Sequence, residues 1–170
     1  MMCGITGTPG TGKSSAADEL ARRGYPVVRL ADTVEAYTLS RDEERDTRVI
    51  DEERWAREFT PVEGFVEGHL AHFLPCDRVV VLRCRPDLLL GRLRSRGYGE
   101  AKCRENAEAE ALDVCLIETL ERHGPGQVLE IDATGISAGG VADLIEGFVL
   151  GRVPASHGTI DWSDYLLEAA

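Results

Sequence analysis

Eight consecutive residues, Gly7-Thr8-Pro9-Gly10-Thr11-Gly12-Lys13-Ser14, have the types and spacing to hold phosphate. Glycines at 7, 10 and 12 let the backbone bend tightly, so that successive N–H groups converge on phosphate oxygens. Lys13 brings a mobile positive charge for the outer phosphates, and Ser14 a hydroxyl able to ligate magnesium. A second set lies further along. Glu67 closes an apolar run and His69 follows two residues later. Arg92 and Arg96 are four apart and so share one face of a helix. Guanidinium groups so placed stack on a base or clamp phosphates bidentately. Positioning and charge neutralisation are most of what phosphoryl transfer demands.

Such residues work only where the chain holds them together. Met2-Cys3-Gly4-Ile5-Thr6 has the length of a buried strand, and Ser15 to Ala21 reads as a helix. The motif therefore sits between a strand and a helix whose positive dipole end favours anions. A chance glycine-rich turn would lack these flanks. The segment is expected to bind a nucleoside triphosphate, with Gly10, Gly12, Lys13, Ser14 and Ser15 at the phosphates and Ser14 with Glu67 at magnesium.

Beyond the loop, strands and helices alternate. The expected fold class is α/β: a three-layer P-loop NTPase fold, with a five-stranded parallel sheet in the order 2-3-1-4-5 flanked by helices. Val27 to Leu30 and Val128 to Asp132 read as strands, and Arg78 to Arg83 as the clearest buried one. Gly64 to His69 reads as a third strand, on which Glu67 and His69 share a facing parity; the plainer alternative makes His69 an ordinary loop histidine. Residues 41–58 hold eight acids and five arginines, a pattern usual for a solvated helical face. Pro86 opens a helix that stops at Gly97, and one long helix is expected from about Ala101 to Arg122. The expected domain spans 1–150, with an acceptor-binding segment at 31–58 and a lid at 95–105 in which Gly97 and Gly99 permit a hinge. A solvated basic helix end is the competing reading of the lid arginines. A tail, 151–170, is expected to pack on the same domain.

Composition narrows the classes. The chain of 170 residues carries a net charge of −11, with Lys13 and Lys102 its lysines against seventeen arginines. An acidic average field disfavours direct nucleic-acid binding. The arginine bias fits either a GC-rich genome or a salt-loving cytoplasm. Five cysteines without a close pair read as buried free thiols. No stretch reaches the roughly twenty apolar residues of a membrane span. The opening residues are the strand itself, so no signal peptide is expected and the expected location is the cytoplasm.

Several pieces together are more specific than the phosphate loop. These are Gly7 to Ser15, Asp42-Glu43-Glu44-Arg45-Asp46-Thr47 with Val49-Ile50-Asp51, and Glu67-Gly68-His69. To them are added Val79 to Arg83, Arg92-Leu93-Arg94-Ser95-Arg96-Gly97-Tyr98, Lys102, Glu105-Asn106, Glu108 and Glu110. With them the chain resembles, over nearly its whole length, the adenylate kinase isoenzyme 6 group, the CINAP-like adenylate kinases of archaea and eukaryotes. The resemblance implies a broad-specificity nucleoside monophosphate kinase using ATP and Mg2+ with AMP as typical acceptor, and a slow ATPase. It also implies a part in maturing small-subunit ribosomal RNA through a small-subunit ribosomal protein. The ATP contacts it implies are Gly10, Gly12, Lys13, Ser14, Ser15 and Arg96. Two positions depart from the family pattern. Glu67 replaces an aspartate, moving the carboxylate by roughly 1.5 Å. Glu35 stands where relatives carry an arginine, so that Arg41, Arg45 or Arg48 must serve the acceptor phosphate. A small-metabolite kinase, or an ATPase assembly factor with incidental kinase activity, would use the same loop.

Overall fold

A computed structural model describes residues 1–42 and 47–168. Its central sheet contains β1 (Met2–Thr6), β2 (Val27–Arg29), β5 (Gly64–Glu67), β6 (Arg78–Arg83) and β7 (Val128–Asp132). They lie in the order β2-β5-β1-β6-β7, every pair parallel. Counted among themselves, these five strands run 2-3-1-4-5, as the sequence predicts. The central strand β1 is buried at every position.

The run Val79-Val80-Val81-Leu82 is apolar without a break because both faces of the sheet are covered. Val80 and Leu82 join Ile5, Leu20, Ile145 and Phe148 on the side of α1 (Lys13–Arg22) and α6 (Ala138–Val149). Val79 and Val81 face the other way, with Trp55, Leu74 and Leu116, towards α2 (Glu52–Glu58) and α5 (Val114–Arg122). Period-two alternation thus divides one strand between two cores. A third, small cluster of Leu89, Leu93, Cys84 and Cys103 joins α3 (Pro86–Ser95) to α4 (Glu100–Ala111).

Three expectations need correction. The charged run 41–58 is not one helical face. It contributes to an antiparallel hairpin, β3 (Thr38–Asp42) with β4 (Thr47–Ile50), before α2 begins. The helix starts only where the Asp51 carboxylate accepts the Arg54 N–H at 3.0 Å. The long helix from Ala101 to Arg122 is instead two helices, α4 and α5. Asp113 lies between them in the left-handed region, φ 57°. Arg83 Nη2 donates to both the Glu110 carbonyl and the Asp113 carboxylate, satisfying a helix-end acceptor from outside. The third strand stops at Glu67, and Gly68 packs so closely on Leu30 that an added Cβ would lie 2.9 Å from it. His69 belongs to the following turn and has no strand parity with Glu67.

All five cysteines are buried and unpaired. Beyond α6 the chain returns along β7, where Glu130 N donates to Ser156 O at 2.7 Å and Ser156 N to Val128 O at 3.2 Å. It ends in α7 (Asp164–Glu168), with Trp162 and Tyr165 beside Pro86. Among the described residues no helix is long and apolar enough to cross a membrane.

Candidate functional site

The loop between β1 and α1 curls because two glycines stand where no other residue fits. Gly7 has φ 141°, and a Cβ there would meet Leu82 O at 2.4 Å; Gly10 has φ 93°, with Leu89 Cδ1 at 2.8 Å. Lys13, only 7% exposed, is folded back into the loop. Its Nζ donates to Gly7 O at 2.8 Å and Thr8 O at 2.9 Å. Burial pushes the Lys13 pKa down, while the nearby Cys115, Glu67 and Glu110 oppose that shift. The ammonium is thus poorly solvated and held by two carbonyls that it can exchange for phosphate oxygens.

Glu67 ends β5 in register with Ile5 on one side and Arg29 on the other. Its Oε1 accepts the Ser14 hydroxyl at 3.2 Å and its Oε2 the Arg29 guanidinium at 2.8 Å. Arg29 also pairs with Asp18. This brace orients the Glu67 carboxylate, and sequence reasoning missed it. The available signal was an arginine closing the otherwise apolar β2.

His69 lies by the loop despite the lost parity, its Nδ1 3.2 Å from Gly7 O. A carbonyl can only accept, so Nδ1 carries the proton and Nε2 is left as an acceptor. Burial first, then the Lys13 charge, lower its pKa and favour the neutral ring.

Arg92, on α3, donates through Nη1 to Gly10 O at 3.2 Å. Arg96 caps the end of α3 and is exposed. Both line a cavity of about 380 Å³ with Gly10, Gly12, Ser15 and Ile136. Arg94 and Arg104 are tied instead to Glu100. A second cavity, about 450 Å³, opens on the other flank of the loop, lined by Thr8, Pro9, His69, Asn106, Lys102 and Glu118. Val49 of the hairpin also reaches it. Of the expected acceptor arginines, Arg45 and the side chains of Arg41 and Arg48 lie outside the described residues. Glu35 is exposed.

Two buried polar networks were not anticipated. In one, Arg83, 1% exposed, bonds Glu110, Glu130 and Asp113. Burial alone would lower its pKa, but Glu110 and Asp113 reverse this and hold it above its ordinary value. In the other, His72 Nδ1 meets the Thr6 hydroxyl at 2.8 Å and Nε2 meets Glu118 at 3.0 Å. The Glu118 contact favours a charged ring, yet burial wins and pushes the His72 pKa down to about 3. Glu118 is partly exposed and well hydrated, so it compensates weakly. The neutral imidazole carries one proton for its contacts with Glu118 and Thr6, and the Thr6 hydroxyl also donates to the His69 carbonyl at 3.0 Å.

Sheet order, phosphate loop and strand-end carboxylate define a P-loop NTPase fold. The family described as an AAA domain (AAA_18) matches residues 3–113. A protein of Natronomonas pharaonis named "Putative adenylate kinase" is 44% identical over 169 residues, covering 98% of this chain and 100% of its own. A protein of the same name from Archaeoglobus fulgidus is 44% identical over 166 residues, covering 95% and 92%. The chain belongs to this archaeal adenylate kinase family. The fold is shared with deoxyadenosine kinase from M. mycoides with bound dATP, at a TM-score of 0.57 and 15% identity over 88% of this chain and 100% of that one.

Proposed function

We propose that the protein is a nucleoside monophosphate kinase that moves the γ-phosphoryl group of ATP to AMP, giving two ADP, with slow ATP hydrolysis as a side reaction. One observation carries the reading: a single phosphate loop is the common wall of two cavities. Gly10 and Gly12 face one, Thr8 and Pro9 the other. A donor in the first and an acceptor in the second would meet across the loop, the in-line arrangement phosphoryl transfer needs.

The loop amides and Lys13 hold the β- and γ-phosphates, with Ser15 at the inner ones. As the acceptor oxygen bonds to the γ-phosphorus, the bond to the β–γ bridging oxygen breaks and its electrons stay on ADP. Arg92 and Arg96 offset the charge on the transferring group. His69 presents Nε2 as an acceptor, suited to orienting a water. Ser14 and Glu67 would hold Mg2+, whose charge shields the phosphates from the attacking oxygen. Their hard oxygens fit that ion. Such an ion keeps several waters and takes phosphate oxygens, so a few protein oxygens suffice for it.

The net charge of −11 favours a second, compatible role, in which a basic small-subunit ribosomal protein docks on the acidic surface and ATP turnover serves ribosomal RNA maturation. A panel of nucleoside monophosphates with magnesium ATP, read as ADP formation, tests the kinase reading. Acceleration by at least one monophosphate supports it. Turnover that responds only to the ribosomal protein overturns it.

A further inference from the structure

The second residue of the phosphate loop is held from outside the loop. Thr8 is buried, and its hydroxyl donates to Glu110 Oε2 at 2.5 Å. Glu110, 1% exposed, uses Oε1 to accept from Arg83 Nε at 2.8 Å and Cys84 N at 3.0 Å. Arg83 Nη2 donates to the Glu110 carbonyl as well, at 2.8 Å. One guanidinium therefore fixes both the backbone and the carboxylate of Glu110. Within the loop, the Thr8 carbonyl is the point of convergence. It accepts from Thr11 N at 3.3 Å, Thr11 Oγ1 at 2.9 Å and Lys13 Nζ at 2.9 Å.

We infer that Glu110 is a positioning residue for the phosphate loop, acting through the Thr8 hydroxyl. An ionised carboxylate can only accept, so the Thr8 hydroxyl must point at it, and that sets the Thr8 rotamer. In a dry site such a charge-assisted bond is strong and directional. With Thr8 located, its carbonyl sets the curl of the loop and the resting place of the lysine. Glu110 also lies within electrostatic reach of Lys13 and favours its charged form. The same helix, α4, carries Lys102 and Asn106 into the second cavity, so the loop and that wall share one anchor.

This inference rests on the phosphate loop being the ATP site. The test uses Thr8→Val, Thr8→Ala and Thr8→Ser, which leave the Arg83 and Cys84 bonds to Glu110 in place. ATP dissociation constants are measured by calorimetry, and KM is measured separately for ATP and for the acceptor. Valine and alanine are expected to weaken ATP at least tenfold, with a smaller rise in acceptor KM because Thr8 also lines the second cavity, and serine to stay within threefold of wild type. If valine does not fold, the alanine–serine pair carries the same comparison. Alanine at wild-type affinity overturns the inference, and so does serine as weak as alanine, because the hydroxyl would then be irrelevant. A wild type that binds ATP but phosphorylates no monophosphate sinks the kinase reading and leaves this comparison intact.

Discussion

Replacing Lys13 by methionine keeps the volume of the side chain and removes its charge. In the resting protein the ammonium donates to Gly7 O at 2.8 Å and Thr8 O at 2.9 Å and is 7% exposed. In the proposed ATP complex it would exchange those carbonyls for phosphate oxygens at similar range. One unit-charge pair at ~3 Å and an effective dielectric of ~20 is worth about 5 kcal/mol. The two carbonyl bonds given up, each worth about 1.5–3 kcal/mol when charge-assisted, offset at least about 3 kcal/mol of this. The net loss in transition-state stabilisation is then about 2 kcal/mol, a fall in kcat/KM of roughly 30-fold. Lys13→Met should bring little or no loss of thermal stability, because it also removes a buried charge whose pKa burial depresses. A coupled ADP assay with thermal melts reads both. A kcat/KM within tenfold of wild type would refute the role given to the ammonium.

Arg83→Met leaves the buried carboxylates of Glu110 and Glu130 without their shared cation. Breaking such a cluster costs about 3–5 kcal/mol, so the melting midpoint should fall by about 6–20 °C; an unchanged midpoint would show that the cluster is not stabilising. The buried, neutral His72 binds fewer protons folded than unfolded between pH ~6.5 and about 3. Stability should therefore fall as pH drops through that window, by up to ~1.4 kcal/mol per pH unit from this group. His69 and His123, also lowered chiefly by burial, act in the same direction. Denaturant melts at pH 7.5, 5.5 and 4.5 should show a shallower slope in His72→Gln, and an identical slope would exclude His72 as a source. Arg92 touches the loop through Gly10 O, whereas Arg96 is exposed at the cavity mouth. Arg92→Ala should therefore raise the KM for ATP and Arg96→Ala chiefly lower kcat, each by about tenfold or more; reversed effects in steady-state kinetics would exchange their roles.

Local chemistry made much of this legible in the sequence. The phosphate loop needs glycines where the backbone turns beyond other residues' reach, so Gly7, Gly10 and Gly12 announced it. The two-sided burial of β6 left its mark as Val79-Val80-Val81-Leu82, and Pro86 marked a helix start. What stayed hidden depended on partners far along the chain. The split between α4 and α5 falls where Arg83, some thirty positions earlier, bonds both the Glu110 carbonyl and the Asp113 carboxylate. The strand carrying Glu67 ends there and Gly68 meets Leu30, so the alternation argument for His69 fails although the histidine still reaches Gly7.

The sequence by itself determined that a phosphate-binding loop stands between β1 and α1, because its motif is written in eight adjacent residues. It also determined a parallel sheet, because period and composition are local properties. Only the tertiary structure decided which distant charges meet: Arg29 with Glu67, Glu110 with Thr8, and Arg83 with three carboxylates. Those pairings depend on strand register and on low-dielectric burial, and neither exists until the chain has packed.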